Sequence, residues 1–206
     1  AFLSSYIIFP NWESTQFKDN MRGLLIANYN YIAQAVQILA GHNLSRTLYK
    51  LARKEVYIAS ANMGSTFQRM LTEPKWRQKY TKEINRFVIL NHIFSSYSAN
   101  LLTQVNQADI ETFNREHAKL LKRILAELEK AILLLPAQEP QTQSYQVSEA
   151  FPVLKESTAN EEDSALITEQ LQFLSKISGD LHRVTQELVT RSIALEQNEK
   201  IAVPNG

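Results

Sequence analysis

Four histidines, His42, His92, His117 and His182, are the side chains of this sequence best suited to hold a metal or move a proton near neutral pH. A carboxylate-bridged di-iron centre in a helical bundle takes Glu-x-x-His pairs, because that spacing puts both ligands on one helix face. Three residues before the histidines stand Leu39, Ile89, Asn114 and Gly179, so none completes the pair. A His-Glu-x-x-His zinc motif is absent as well. Cysteine is missing altogether, which removes thiolate ligands, thiol nucleophiles and disulfides and suits a reducing compartment such as the cytoplasm. The glycines at 23, 41, 64, 179 and 206 form neither a P-loop nor a dinucleotide fingerprint, and there is no Gly-x-Ser-x-Gly elbow. No catalytic residue, metal site or cofactor is therefore expected, and the chain is read as a non-enzyme.

Charge is the next candidate for function. Residues 46–86 carry ten basic and three acidic side chains, whereas residues 87–206 carry ten basic and sixteen acidic ones. The basic stretch could meet nucleic acid or anionic lipid headgroups, or it could be a solvated surface paired with the acidic half of the same protein. A formal net charge of only +1 and the lack of a reading-helix motif argue against nucleic acid. Arg46, Lys50, Arg53 and Lys54 are the basic residues singled out as membrane-facing or anion-contacting. Arg53 sits one residue from an apolar stripe and is expected to be partly buried and paired. Arg69 and Glu73, four residues apart, suit a surface ion pair.

The elements that position these residues are helices. With 44% hydrophobic residues in 206, the chain can bury a sizeable core without staples. Five glycines and six prolines leave long uninterrupted stretches, which favours helices over a many-stranded sheet. A first helix is expected after Pro10, capped by Asn11 or Ser14, with Phe17, Met21, Leu24, Leu25, Ile32, Ala35, Val36 and Leu39 on one stripe and an end at Gly41. A second runs over 45–73 on Leu48, Ala52, Val56, Ala59, Met63, Phe67 and Met70. Its small-residue middle around Gly64 suggests a close-packed neighbour. Pro74 then suits the first turn of a third helix, carrying Trp76, Tyr80, Ile84, Phe87, Val88, Phe94, Tyr97, Leu101 and Leu102. A fourth starts near Asp109, carries Ile110, Phe113, Leu121, Ile124, Leu125, Leu128, Ile132 and Leu135, and stops before Pro136.

Residues 136–163 hold three prolines and six acidic residues against one lysine, the composition of a flexible acidic linker. A last helix over 164–200 has Ile167, Leu171, Leu174, Ile177, Leu181, Val184, Leu188 and Leu195 near heptad spacing, which suits packing on the bundle or on a second subunit. Residues 23–45 and 87–108 carry no charge but hold Asn28, Asn30, Asn91, Ser95 and Ser98. They read as central helices contacted from several sides rather than as membrane spans. The fold class is thus all-α: an antiparallel bundle of about four long helices over 10–135, plus a fifth long C-terminal helix after the acidic linker. The apolar run 1–9 has no signal-peptide flank and reads as the remnant after a membrane helix, the cut end of a longer protein.

The segment YKLARKEVYIASANMGSTFQRMLTEPK at 49–75, with FPNWE at 9–13, ANYNYI at 27–32 and VILNHIFSSY at 88–97, resembles the YccS/YhfK group of bacterial inner-membrane proteins, in the wider fusaric acid resistance (FUSC) superfamily. After residue 106 the resemblance lies mainly in the pattern of long helices. It implies a C-terminal cytoplasmic domain of a multi-pass inner-membrane exporter of aromatic or other small organic acids. The partners it implies are the chain's own transmembrane domain and further copies, with membrane association through a part upstream of Ala1. No transport residue carries over to this chain. The positive charge of 46–86 has the sign expected on the cytoplasmic side. The alternative readings are a soluble helical adaptor that binds a protein partner and an enzyme whose site is assembled between helices.

Overall fold

The computed structural model describes residues 10–39, 46–72, 74–75, 78, 80–107, 114–135 and 161–202. It describes their side chains too, except at 10–15, 39, 46, 106–107, 161–163 and 194–202. The expectations for residues 1–9, Gly41, Glu73, Trp76, Ile110, Phe113 and most of the linker lie outside the described residues, as does the side chain of Leu195, and the expected caps Asn11 and Ser14 already lie inside the first helix. Within them every regular element is an α-helix: α1 (Pro10–Leu39), α2 (Arg46–Thr72), α3 (Thr81–Gln107), α4 (Arg115–Leu133) and α5 (Glu161–Ala202). The chain is all-α, as expected.

The two uncharged stretches fall on the two central helices. α1 packs against α2, α3 and α4, and α3 packs against α1, α2 and α5. A helix contacted from three sides has little solvated arc on which to place charge. Accordingly α1 buries Met21, Leu24, Leu25, Ile26, Ile32 and Val36, and also Tyr29 and Tyr31. Polar groups on this interface need partners, since an unmade hydrogen bond in the interior costs about 1–3 kcal/mol. Asn28 on α1 is fully buried and donates Nδ2 to Asn91 Oδ1 on α3 at 2.9 Å. Asn28 Oδ1 accepts from Ser95 Oγ at 3.0 Å, and Asn91 Nδ2 donates to the Phe87 carbonyl at 3.0 Å. This closed amide–hydroxyl network fixes α1 against α3 in one register.

Pairs along the other interfaces give the helix directions. Asn20 meets Thr66 and Tyr31 meets Tyr49, so α1 and α2 are antiparallel. Arg191 meets Glu83 and the Tyr97 ring packs on Phe173 at 4.4 Å, so α3 and α5 are antiparallel too. Asn114 and His117 meet Ser164 and Thr168, while Glu127 meets His182, so α4 and α5 run parallel. The fifth helix, expected to pack on the bundle or on a second subunit, thus packs on this bundle and runs parallel to α4. The heptad-like face of α5 is occupied by α3 and α4 of the same chain, and Ile167, Leu171, Leu174, Leu181 and Val184 are buried there. Ser178 and Thr185 share that face, their hydroxyls satisfied by the Ser175 and Leu181 carbonyls of their own helix.

Several local expectations are corrected. Helix α3 begins at Thr81, not at Pro74, because Tyr80 turns the backbone at φ 60° and its carbonyl accepts the Ile84 N–H at 2.9 Å. A non-glycine in that region costs about 1–3 kcal/mol, and the Tyr80 hydroxyl is anchored on the Arg191 carbonyl at 2.8 Å. Helix α4 begins at Arg115 with Asn114 as its cap, six residues beyond the expected start at Asp109. Helix α5 begins at Glu161, inside the stretch read as linker. Leu48 lies on the α2 stripe by spacing yet is 57% exposed. Tyr97 is also largely exposed, covered on one face by Phe173. A Cβ added at Gly64 would meet nothing within 4 Å, so no helix packs closely there. The small residues of α2 leave room instead: Ala59 and Asn62 border an open groove of about 280 Å³ shared with Asp19 and Glu55.

Two stability predictions follow from these packing facts. Gly64→Ala should stabilise the fold by up to about 1 kcal/mol, raising the Tm by roughly 2–4 °C in a thermal scan. Asn91→Ala should cost about 1–3 kcal/mol by stranding the Asn28 amide, seen as a lower urea midpoint at unchanged slope.

Candidate functional site

Helix α2 turns Ala52, Val56, Met63 and Thr66 inward. The residues between them must face outward, and that is where the basic residues stand. Lys50, Arg53 and Lys54 are exposed on its N-terminal half, beside exposed Leu51, Tyr57 and Ile58. Arg46 opens the helix, and its side chain lies outside the described residues. Lys50, Arg53 and Lys54 thus share one solvent-facing side at three- and four-residue spacing. Arg53 is exposed rather than partly buried, because it stands at the edge of an open cleft between α2 and α3 that leaves its side chain to solvent. It is nevertheless engaged: Nη2 and Nε donate to the Tyr57 hydroxyl at 3.1 and 3.3 Å, and the guanidinium lies 5.6 Å from the ring centroid. Among the described residues no carboxylate pairs with it.

Two further tyrosines complete this cluster, and the sequence reading did not single them out. The Tyr31 hydroxyl donates to Tyr49 at 3.4 Å, with the rings 5.9 Å apart and tilted by 39°. Burial, reinforced by that hydrogen bond, pushes the Tyr31 phenol far above its ordinary range, so it stays a neutral donor. The hydrogen bond to Tyr57 raises the Arg53 guanidinium further and keeps it charged. The cluster borders a cleft of about 220 Å³ between α2 and α3. The only sequence signal for it was a run of tyrosines at α1 and α2 positions that could equally have been core.

Arg69 ties α2 to α1 by donating Nη2 to Gln16 Oε1 at 3.3 Å and also donates to Thr66 Oγ1 of its own helix at 3.1 Å; its expected partner Glu73 lies outside the described residues. Of the histidines, His42 lies outside the described residues and His92 is exposed at the α2/α3 cleft. His182 Nδ1 meets Glu127 Oε2 at 2.8 Å, while Glu127 Oε1 accepts from Lys130 at 2.7 Å. The Lys130 hydrogen bond, then that of His182, holds the Glu127 carboxyl below the usual carboxylate range. No group of three histidine, cysteine, aspartate or glutamate side chains gathers in metal-holding geometry among the described residues.

His117 has a structural task. Asn114 Oδ1 accepts the His117 N–H at 3.0 Å, and His117 Nδ1 accepts the Asn114 N–H at 3.3 Å, a reciprocal helix cap. With Nδ1 accepting, the ring proton is assigned to Nε2, which faces Thr168 Oγ1 at 2.7 Å and the Ser164 carbonyl at 3.2 Å. One buried neutral imidazole therefore joins the start of α4 to the start of α5.

No family model matches the chain, and no solved structure matches it. A curated relative does. The chain is similar to the inner membrane protein YccS of Escherichia coli (strain K12). The two are 23% identical over 193 residues, which is 91% of this chain and 26% of that protein. The chain thus spans about a quarter of the length of that relative. Among the described residues no helix is long and apolar enough to cross a membrane.

The histidine cap predicts a pH dependence. Burial lowers the His117 pKa below 6.5, against the raising effects of the Ser164 carbonyl and Glu116. Below pH 6.5 the unfolded chain then binds more protons than the folded one, so this contribution is complete above 6.5 and declines as pH falls towards the lowered value. The Glu127 contribution runs in a separate window, complete above 4.5 and lost below it. The urea midpoint should drop between pH 7 and 5.5. His117→Gln, which can keep the cap, should flatten that drop, and equal slopes in both proteins would refute the assignment.

Proposed function

We propose that this chain is a cytoplasmic helical domain of a multi-pass inner-membrane transporter of the FUSC superfamily, one that exports aromatic or other small organic acids. Its role there is structural, gating or docking, and it is not catalytic. The observation that carries the reading is the likeness to an inner membrane protein over 91% of this chain and only 26% of that relative, together with described helices none of which can span a bilayer. On this reading the translocation path lies in membrane helices outside the chain, and the partners are that membrane domain and further copies of the protein. The exposed side of α2 with Lys50, Arg53 and Lys54, with Arg46 at the start of the helix, faces anionic headgroups, where each lysine or arginine near the surface contributes about 1 kcal/mol. Exposed Leu51, Tyr57 and Ile58 among those charges suit an interfacial position.

The same apolar residues favour a second reading, a soluble adaptor that binds a protein partner through α2. Fractionation separates the two. The full-length protein, expressed with a C-terminal tag, should stay in the membrane pellet through a carbonate wash. Recovery in the cytosol would discard the transporter reading and leave the adaptor.

A further inference from the structure

We propose that two copies of this chain pair through the outward face of α3, antiparallel about a twofold axis. This gives a surface to the further copies counted above as partners. It is tested on the 206-residue chain, separately from the carbonate wash that decides the transporter reading. The face of α5 expected to meet a second subunit is filled by α3 and α4 of its own chain, so a contact between copies needs another surface. Helix α3 packs against α1, α2 and α5, and its remaining side is exposed. Ile89, Ser96, Tyr97 and Asn100 are exposed there and Ile93 is half-buried. They recur at three- and four-residue steps, which puts them on one stripe roughly 17 Å long at 1.5 Å per residue.

A solvated helix side ordinarily carries charge. The open side of α4 has Lys119, Lys122 and Arg123, and that of α5 has Glu169, Lys176 and Arg183. Residues 87–107 of α3 have no Asp, Glu, Lys or Arg at all. An exposed apolar stripe bare of charge is the pattern of a surface that a partner covers. Tyr97 supplies the aromatic anchor such contacts favour. One side of its ring lies against half-buried Phe173, centroids 4.4 Å apart, while the residue stays 41% exposed. The missing charge also selects the occupant. Anionic headgroups or nucleic acid would need cations on the stripe, and a charged protein face would need the opposite sign. A twofold axis sets the same patch against itself, and a patch without charge then meets no like charge. The ends of α3 fix the direction. Exposed Lys82 and Arg86 stand in its first turns. A parallel pair would set each against its own copy. In an antiparallel pair they approach the uncharged last turns of the other α3, where the helix dipole is negative and favours a cation. Ile93 of each copy then stands across from Tyr97 of the other, and Ile89 falls beside Asn100. The axis passes next to Ser96, which is small enough for close approach. So short a stripe makes a small contact, and the pairing is therefore reversible.

The test is sedimentation velocity on the 206-residue chain over a range of concentrations. Expected is a reversible equilibrium that approaches twice the 23.6 kDa of one chain. Tyr97→Glu, at an exposed position, should weaken pairing at least about tenfold, because it buries an unpartnered charge. Tyr97→Phe should leave it intact, and so should Leu133→Glu on the open side of α4, where the leucine is 69% exposed. The chain has no cysteine, so introduced thiols report alone. Ile89→Cys mixed with Asn100→Cys should give a disulfide-linked dimer on oxidation, while neither variant alone should. A chain that stays monomeric up to about 1 mM would overturn the proposal and leave the stripe to another occupant. So would a dimer untouched by Tyr97→Glu. Ile89→Cys linking to itself but not to Asn100→Cys would overturn the antiparallel arrangement and the charge argument behind it.

Discussion

Everything in this fold is referred to the buried contact between α1 and α3. Apolar side chains alone would let two central helices slide by a turn at little cost, since leucine and isoleucine pack in many registers. The Asn28–Asn91 pair and its Ser95 donor do not allow that, because a slip would strand two buried amides and a half-buried hydroxyl at once. With that register set, α2 is placed on one flank by the Asn20–Thr66 and Tyr31–Tyr49 contacts, and α5 on the other by the Glu83–Arg191 contact. The α2/α3 cleft opens directly beside the same network, so its shape is inherited from the most constrained part of the core.

The sequence was legible where burial alone decided the residue. The stripe Leu121, Ile124, Leu125, Leu128 and Ile132 on α4, and the α5 positions from Ile167 to Leu188, are buried as their spacing implied. The two uncharged runs identified the central helices because a helix packed on three sides excludes charge. Reading failed where one residue type serves two purposes. Gly64 and its small neighbours fit either a close helix or an open groove, and spacing does not distinguish them. Leu48 matches the stripe but is exposed near the start of α2. Asn114 was noticed only as a non-ligand three residues before His117. The Asn-x-x-His spacing was in fact a cap, legible once the imidazole is allowed the role usually given to glutamate or glutamine.

The candidate site was half visible. Lys50, Arg53 and Lys54 were chosen by charge, and the fold does put them on one exposed side of α2. What charge could not show was the aromatic setting of Arg53. Tyr31 and Tyr49 come from different helices and Tyr57 from one turn along, so only the packed structure collects them. The likeness to YccS covers the chain from bundle to last helix, yet at 23% identity it speaks of kinship rather than of particular residues.

The parallel course of α4 and α5 has a consequence for the order in which the molecule assembles. The α1/α2 hairpin closes over short loops, a fast local step. The contacts that seat α5 join residues 47–51 positions apart at the α4 start and 108–111 apart at α3. The α3/α5 contacts close far longer loops than the 63–67 positions between Asn28 and its partners on α3, and the surface that receives α5 is made by α3 and α4 together. The last helix in the chain is therefore also the last to be locked, and until then the apolar faces of α3 and α4 that receive it stand open to solvent.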